Sequence, residues 1–294
     1  MEYVFMFTVF LIISTFCWLL ASFFSMKKKE NRALFFQTLG VILFAVFIAW
    51  LWIALQRPPF KTMGETRIWY SFFLALMGGV TYWRWKMGLL ITFTNLLASV
   101  FVIITICKPE IQSQVLMPAL QSVWFIPHVA VYMFGYAAIG CAFVLGIVDI
   151  LTAKNAKGLR KGHNGLNGVH CFFALFAKNL CASALNKEHE LSKNTNQLIK
   201  IGAAALGIGL CLGALWAKKA WGQYWSWDIK ETAALITWAI FLLYLHLQKL
   251  TKINRKILWI ILMIGFLSLN FTWFGVNYLP AAKKSPHTFY SAED

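Results

Sequence analysis

Residues Trp216–Glu231, WAKKAWGQYWSWDIKE, bring Trp216, Trp221, Trp225 and Trp227 within twelve positions, with Tyr224 among them and Asp228, Lys230 and Glu231 close behind. Indoles at this density offer flat apolar surface on which a large planar ligand can stack, while Lys218, Lys219 and Lys230 can meet anionic groups on its edge. The plainer alternative is the aromatic belt found where membrane meets water. Four Trp so close together, followed at once by two carboxylates, are denser than a belt requires. Asp228 and Glu231 either belong to the ligand site or fix the loop by pairing with Lys230 or Arg57, and the sequence leaves both roles open.

The six histidines separate by position. His128 follows Pro127 at the start of an apolar stretch, and His287 lies in the C-terminal tail. Two neutral imidazoles from different segments can supply both axial ligands of a haem iron; a single histidine at a helix start is as often structural. His246 lies in the apolar run that opens near Ala233, roughly 20 Å down a helix rising 1.5 Å per residue. An ionisable side chain inside a membrane is a functional candidate by default, although Gln248 and Lys249 next to it also permit an interfacial, snorkelling histidine. His163, His170 and His189 fall in a basic segment and read as surface residues. Cys17, Cys107, Cys141, Cys171, Cys181 and Cys211 form neither C-x-x-C nor C-x-x-C-H. They read as small packing residues rather than zinc, redox or haem-attachment sites.

The elements that hold these residues follow from composition. The chain is 60% hydrophobic and 13% charged, with mean hydropathy +0.64, where a soluble chain carries about 25% charged residues. This excludes a soluble enzyme and indicates an all-α, polytopic integral membrane protein. The net charge of +16 is strung between apolar blocks, a pattern of membrane topology rather than of nucleic-acid binding. Eight spans are expected, near residues 3–24, 33–55, 68–83, 87–107, 123–151, 198–217, 233–247 and 257–278. The loops alternate so that 18 of the 27 Lys and Arg fall on one side, which is then cytoplasmic. Both termini and the tryptophan block face outward. The first apolar run, lacking a basic lead and an A-x-A, is expected to be a retained span rather than a signal peptide. Residues 166–185 read as a helix lying in the cytoplasmic interface, since Lys178 and Asn179 are costly in lipid. The chain divides at about 116: spans one to four (1–116), then the tryptophan region with spans five to eight (117–294) around a basic cytoplasmic loop, 152–197.

Three stretches, in order, carry a family resemblance: PALQSVWFIPHVAVYMFGYAAIG with His128, WGQYWSWDIKETAALITW followed by LYLH, and FTWFGVNYLP leading to His287. Together they resemble the WWD-domain haem-handling membrane proteins, and within these the CcsA/ResC component of system II cytochrome c maturation. The likeness covers about 117–290. It implies that haem b, carried as cargo, is held at the outer, periplasmic face of the plasma membrane. There His128 and His287 would ligate iron over Trp221, Trp225, Trp227 and Asp228. It implies that His246 is a transient haem ligand on the route from the cytoplasm. The implied partners are a CcsB/ResB-like membrane protein and an apocytochrome c with C-x-x-C-H. The chain would thus be the haem-binding part of a holocytochrome c synthase. This family usually has Pro where Ile229 stands and often Trp where Ala233 stands, and here AAKKSP lengthens the approach to His287. Two alternatives remain at this point: a system I relative that loads a haem chaperone, and an unrelated solute transporter. The glycines at 202, 207, 209 and 213 allow the broken helices of the latter or tight helix packing.

Overall fold

The computed structural model describes residues 2–107, 122–160, 188–250 and 253–280. These residues contain eight α-helices and no strand: α1 Glu2–Met26, α2 Glu30–Leu55, α3 Met63–Trp85, α4 Gly88–Cys107, α5 Phe125–Arg160, α6 Glu188–Trp221, α7 Ile229–Leu247 and α8 Arg255–Trp273. A 3-10 turn, Gly275–Tyr278, follows α8. Seven of the eight helices are long and apolar enough to cross a membrane. The chain is a multi-pass membrane protein. The segment 166–185, His163, His170 and His287 lie outside the described residues.

The exception is α3, whose sequence is too polar to qualify as a span. Glu65, Thr66, Arg67, Ser71 and Thr81 are all buried along it, so its polar side chains face protein rather than lipid. It also starts earlier than its apolar run. Thr62 Oγ1 accepts from Glu65 N–H while the Glu65 carboxylate accepts from Thr62 N–H, a reciprocal cap that adds the turn from Met63. The same device opens α7 at Ile229 rather than Ala233, with Asp228 and Glu231 as the reciprocal pair.

Short links make α1–α4 successively antiparallel, and likewise α6–α8. Gly78 meets Thr94 and Tyr70 meets Phe101 across α3 and α4. Thr237 hydrogen-bonds Ser268 and Thr272 across α7 and α8. Within α1–α4 a buried amide pair ties the helices together. Gln37 Nε2 donates to Ala75 O (2.7 Å), and Asn95 Nδ2 donates to Gln37 Oε1 (2.8 Å) and Trp18 O (2.9 Å). The two halves join where Phe73 packs edge-on to Phe134 and Tyr70 packs edge-on to Trp273. In the second half α5 and α6 press together: Gly135 faces Gly202 and Ala205, Gly202 faces Ile139, and Gly209 faces Tyr132. The helix α6 runs unbroken through all four glycines. They therefore serve packing, and the sequence hint of a transporter's broken helix disappears.

Alternation gives the bundle two different ends. At one, Arg255 of α8 pairs with buried Asp149 of α5, and Tyr244 of α7 donates to Asn196 of α6 (2.9 Å). At the other gather the α2–α3 link, the start of α5, the end of α6 and the link to α7. The aromatic chemistry sits at this second end.

Candidate functional site

His128 occupies the first turn of α5, where Pro127 is tolerated because no intrahelical partner is owed to its missing N–H. Its Nδ1 is 2.8 Å from the Gly209 carbonyl of α6. A carbonyl only accepts, so Nδ1 carries a proton and Nε2 is the nitrogen left to face a metal. This is the arrangement by which proteins orient a metal-binding imidazole. Access to that carbonyl depends on glycine: a Cβ on Gly213 would lie 2.7 Å from His128 Cε1 and 2.9 Å from Nδ1. The ring stacks on Trp216 at 5.6 Å and meets Tyr132 edge-on at 4.9 Å.

Trp216 is the buried keystone, 4% exposed. Trp221 packs edge-on against it at 4.8 Å, and Phe125 lies tilted against it at 5.0 Å. Phe60, from the α2–α3 link, completes this cluster and itself stacks on Trp69 at 4.4 Å. Each such aromatic pair is worth about 1 kcal/mol beyond area burial. The histidine therefore rests on a packed aromatic wall built by α3, α5, α6 and the α2–α3 link.

After Trp221 the helix ends at Gly222, whose φ of +80° suits glycine. Lys218 donates to the Gly222 carbonyl (2.8 Å) and lies 5.3 Å over the Tyr224 ring. This lysine fixes the turn, and is thereby committed to the loop rather than left to meet an anion. Trp225 and Trp227 then pair edge-to-face at 5.7 Å. Trp227 adopts φ +59° with its ring 72% exposed. A bulky side chain in the left-handed region is strained, at about 1–3 kcal/mol. One carboxylate imposes it: Glu231 Oε2 accepts from Ser226 N–H (2.8 Å), Ser226 Oγ (3.2 Å) and Asp228 N–H (3.4 Å), gripping the backbone on both sides of Trp227. Asp228 Oδ1 accepts from Lys230 N–H (2.7 Å) and Glu231 N–H (3.1 Å). The two acids thus fix the loop, and Arg57 pairs with Glu65 instead. The Trp225 indole N–H is buried without a hydrogen-bond partner among the described residues, a donor that a ligand oxygen would satisfy.

The structure brings His128, Trp216 and Trp221 into one stack, with Trp225 and Trp227 farther along the same loop. It sets His246 apart. That residue is in the last turn of α7, about 26 Å below Ile229, exposed on the outside of the bundle at the opposite end. Sequence reading passed over Phe60, Phe125 and Trp69, because an aromatic in an apolar chain carries no distinguishing mark. Gly209 and Gly213, four apart and hence on one face of α6, were the available signal for a close approach. Among the described residues no group of three or more His, Cys, Asp or Glu could hold a metal ion.

A profile of the family described as cytochrome C assembly protein matches residues 3–282. Among curated relatives, the "Cytochrome c biogenesis protein CcsA" of Cuscuta exaltata is 34% identical over 254 residues, covering 83% of this chain and 81% of its own length. The proteins of that name from Cuscuta reflexa (33% over 254 residues, 83% and 81% covered) and Solanum bulbocastanum (34% over 259 residues, 82% and 80% covered) are similar to the same degree. The chain belongs to the CcsA family of cytochrome c assembly proteins. The match extends through α1–α4, where the sequence motifs gave no sign of it. One departure from the CcsA-family pattern is neutral in this fold: Ile229 is the first residue inside α7, a position where Pro is favoured but where any residue's N–H lacks an intrahelical partner.

Proposed function

We propose that this protein is the CcsA-like component of a system II cytochrome c synthase, carrying haem b and presenting it at the outer face of the plasma membrane. The observation that carries this reading is His128, oriented by the Gly209 carbonyl and stacked on Trp216 beside a strained, exposed tryptophan loop. Haem is the substrate. His128 Nε2 and, from the tail, His287 would ligate its iron, with Trp221, Trp225 and Trp227 against the macrocycle and Asp228 holding the loop. His246 would ligate haem transiently at the cytoplasmic end, facing a CcsB/ResB-like partner. At the outer site each cysteine S–H of an apocytochrome C-x-x-C-H adds across a haem vinyl C=C, forming a thioether without consuming an oxidant. The chain's share of that work is positioning and control of the iron, since the haem carries the chemistry.

Deleting the gene tests this reading. Covalently bound haem should vanish from c-type cytochromes while b-type cytochromes persist; unchanged c-type levels would contradict it.

A further inference from the structure

The α2–α3 link does more than pack. It is pinned at every step: Phe60 N–H donates to Pro58 O (3.0 Å), Trp69 Nε1–H donates to Pro59 O (2.8 Å), and Lys61 N–H donates to Glu65 Oε2 (2.6 Å). Arg57 forks onto the fully buried Glu65 carboxylate at 3.0 and 2.7 Å. That pairing consumes Glu65, and the Lys61 ammonium forms no ion pair among the described residues. Lys61 is half-buried all the same. Its immediate neighbour Phe60 is in the cluster with Phe125 and Trp216, the ring against which His128 stacks. Burial, then the Arg57 guanidinium, lower the Lys61 pKa, with Glu65 offsetting only part. A partly desolvated cation on a pinned backbone, set beside a like charge and next to this aromatic cluster, gains when an anion joins it.

We infer that Lys61 is the anchor for a carboxylate of the planar cargo, a porphyrin propionate, at the edge of the aromatic cluster that carries His128. The inference rests on the haem-handling reading and adds to it a binding residue from the N-terminal half. The tryptophan loop then supplies the face of the site and the α2–α3 link its charged edge. Lys218, already committed to Gly222 and Tyr224, is not required for that edge.

The test uses the full chain in nanodiscs of zwitterionic lipid, titrated with haem and with its dimethyl ester, which has no propionate charge. The Lys61→Gln chain should bind haem about tenfold more weakly, the share of one charge-assisted contact. Lys61→Glu should bind more weakly still, and Lys61→Arg should retain affinity. The ester should bind the wild-type chain as weakly as haem binds Lys61→Gln, and should not respond to the substitution. Equal binding of haem and ester by the wild type would overturn the inference while leaving the haem-handling reading intact. So would a Lys61→Gln loss that is equal for both ligands, which would mark a structural role. An effect confined to discs of anionic lipid would assign Lys61 to a headgroup and overturn it as well. A wild-type chain that takes up neither ligand would overturn the haem-handling reading, and this inference with it.

Discussion

At the scale of single residues, the account turns on how side chains are held. Gly213→Ala places a methyl where the His128 ring lies, and overpacking of this kind costs about 1–3 kcal/mol. Haem retained by the purified variant should fall severalfold, with the remaining spectrum shifted; an unaltered spectrum would show that the Gly209 contact does not orient the ligand. Trp227 offers a cleaner separation of stability from function. Trp227→Gly relieves the left-handed strain and should raise thermal stability by about 1 kcal/mol, yet lower haem retention because the exposed ring is gone. Lys61 carries a pH prediction with a definite sign. Rising pH removes its proton, so haem affinity should decline at a pH below the 10.5 of an ordinary lysine. Lys61→Arg should abolish that decline, because arginine stays charged throughout. For folding the sign is reversed: the unfolded chain binds the proton more tightly, so this group's contribution to stability rises with pH across the same window.

At the scale of elements, reciprocal caps decide where the two functional links end. Thr62→Ala should cost about 1 kcal/mol. Arg57→Ala should cost more, about 3 kcal/mol, because it strands the buried Glu65 carboxylate; detergent-solubilised melting curves would rank them. Both caps were present in the sequence as Thr-x-x-Glu and Asp-x-x-Glu, yet the apolar runs beginning at Ile68 and Ala233 concealed them, because a hydropathy pattern registers lipid exposure and not helical backbone. The same blindness hid the early start of α6 at Glu188. The tryptophan block and His128 were legible because indole density and an imidazole beside a proline are rare in an apolar chain. What positions them was not. The Gly209 carbonyl, the Glu231 clamp on Trp227 and the Phe60 wedge depend on contacts between residues distant in sequence, or on a backbone angle that no residue type announces.

At the scale of the whole molecule, the eight helices of the described residues sort the chemistry to two ends. The α2–α3 link, the start of α5 and the tryptophan loop share one end, and His246 and the Asp149–Arg255 pair share the other. Buried polar residues along α3 explain how a helix too polar to pass as a span still belongs in the bundle. In intact cells an impermeant maleimide should label a single cysteine placed at Gln223, and should label one at Lys28 only after the membrane is opened; labelling of both in intact cells would contradict the alternation. The central claim, a histidine-ligated haem against the tryptophan wall, is tested most directly by the absorption spectrum of the chain co-expressed with a CcsB-like partner, with and without dithionite. The account predicts a Soret band with sharp reduced α and β bands, weakened by His128→Ala and by His287→Ala, and restored in His128→Ala by added imidazole. A haem-free preparation from haem-replete cells, or a spectrum indifferent to His128→Ala, would contradict it.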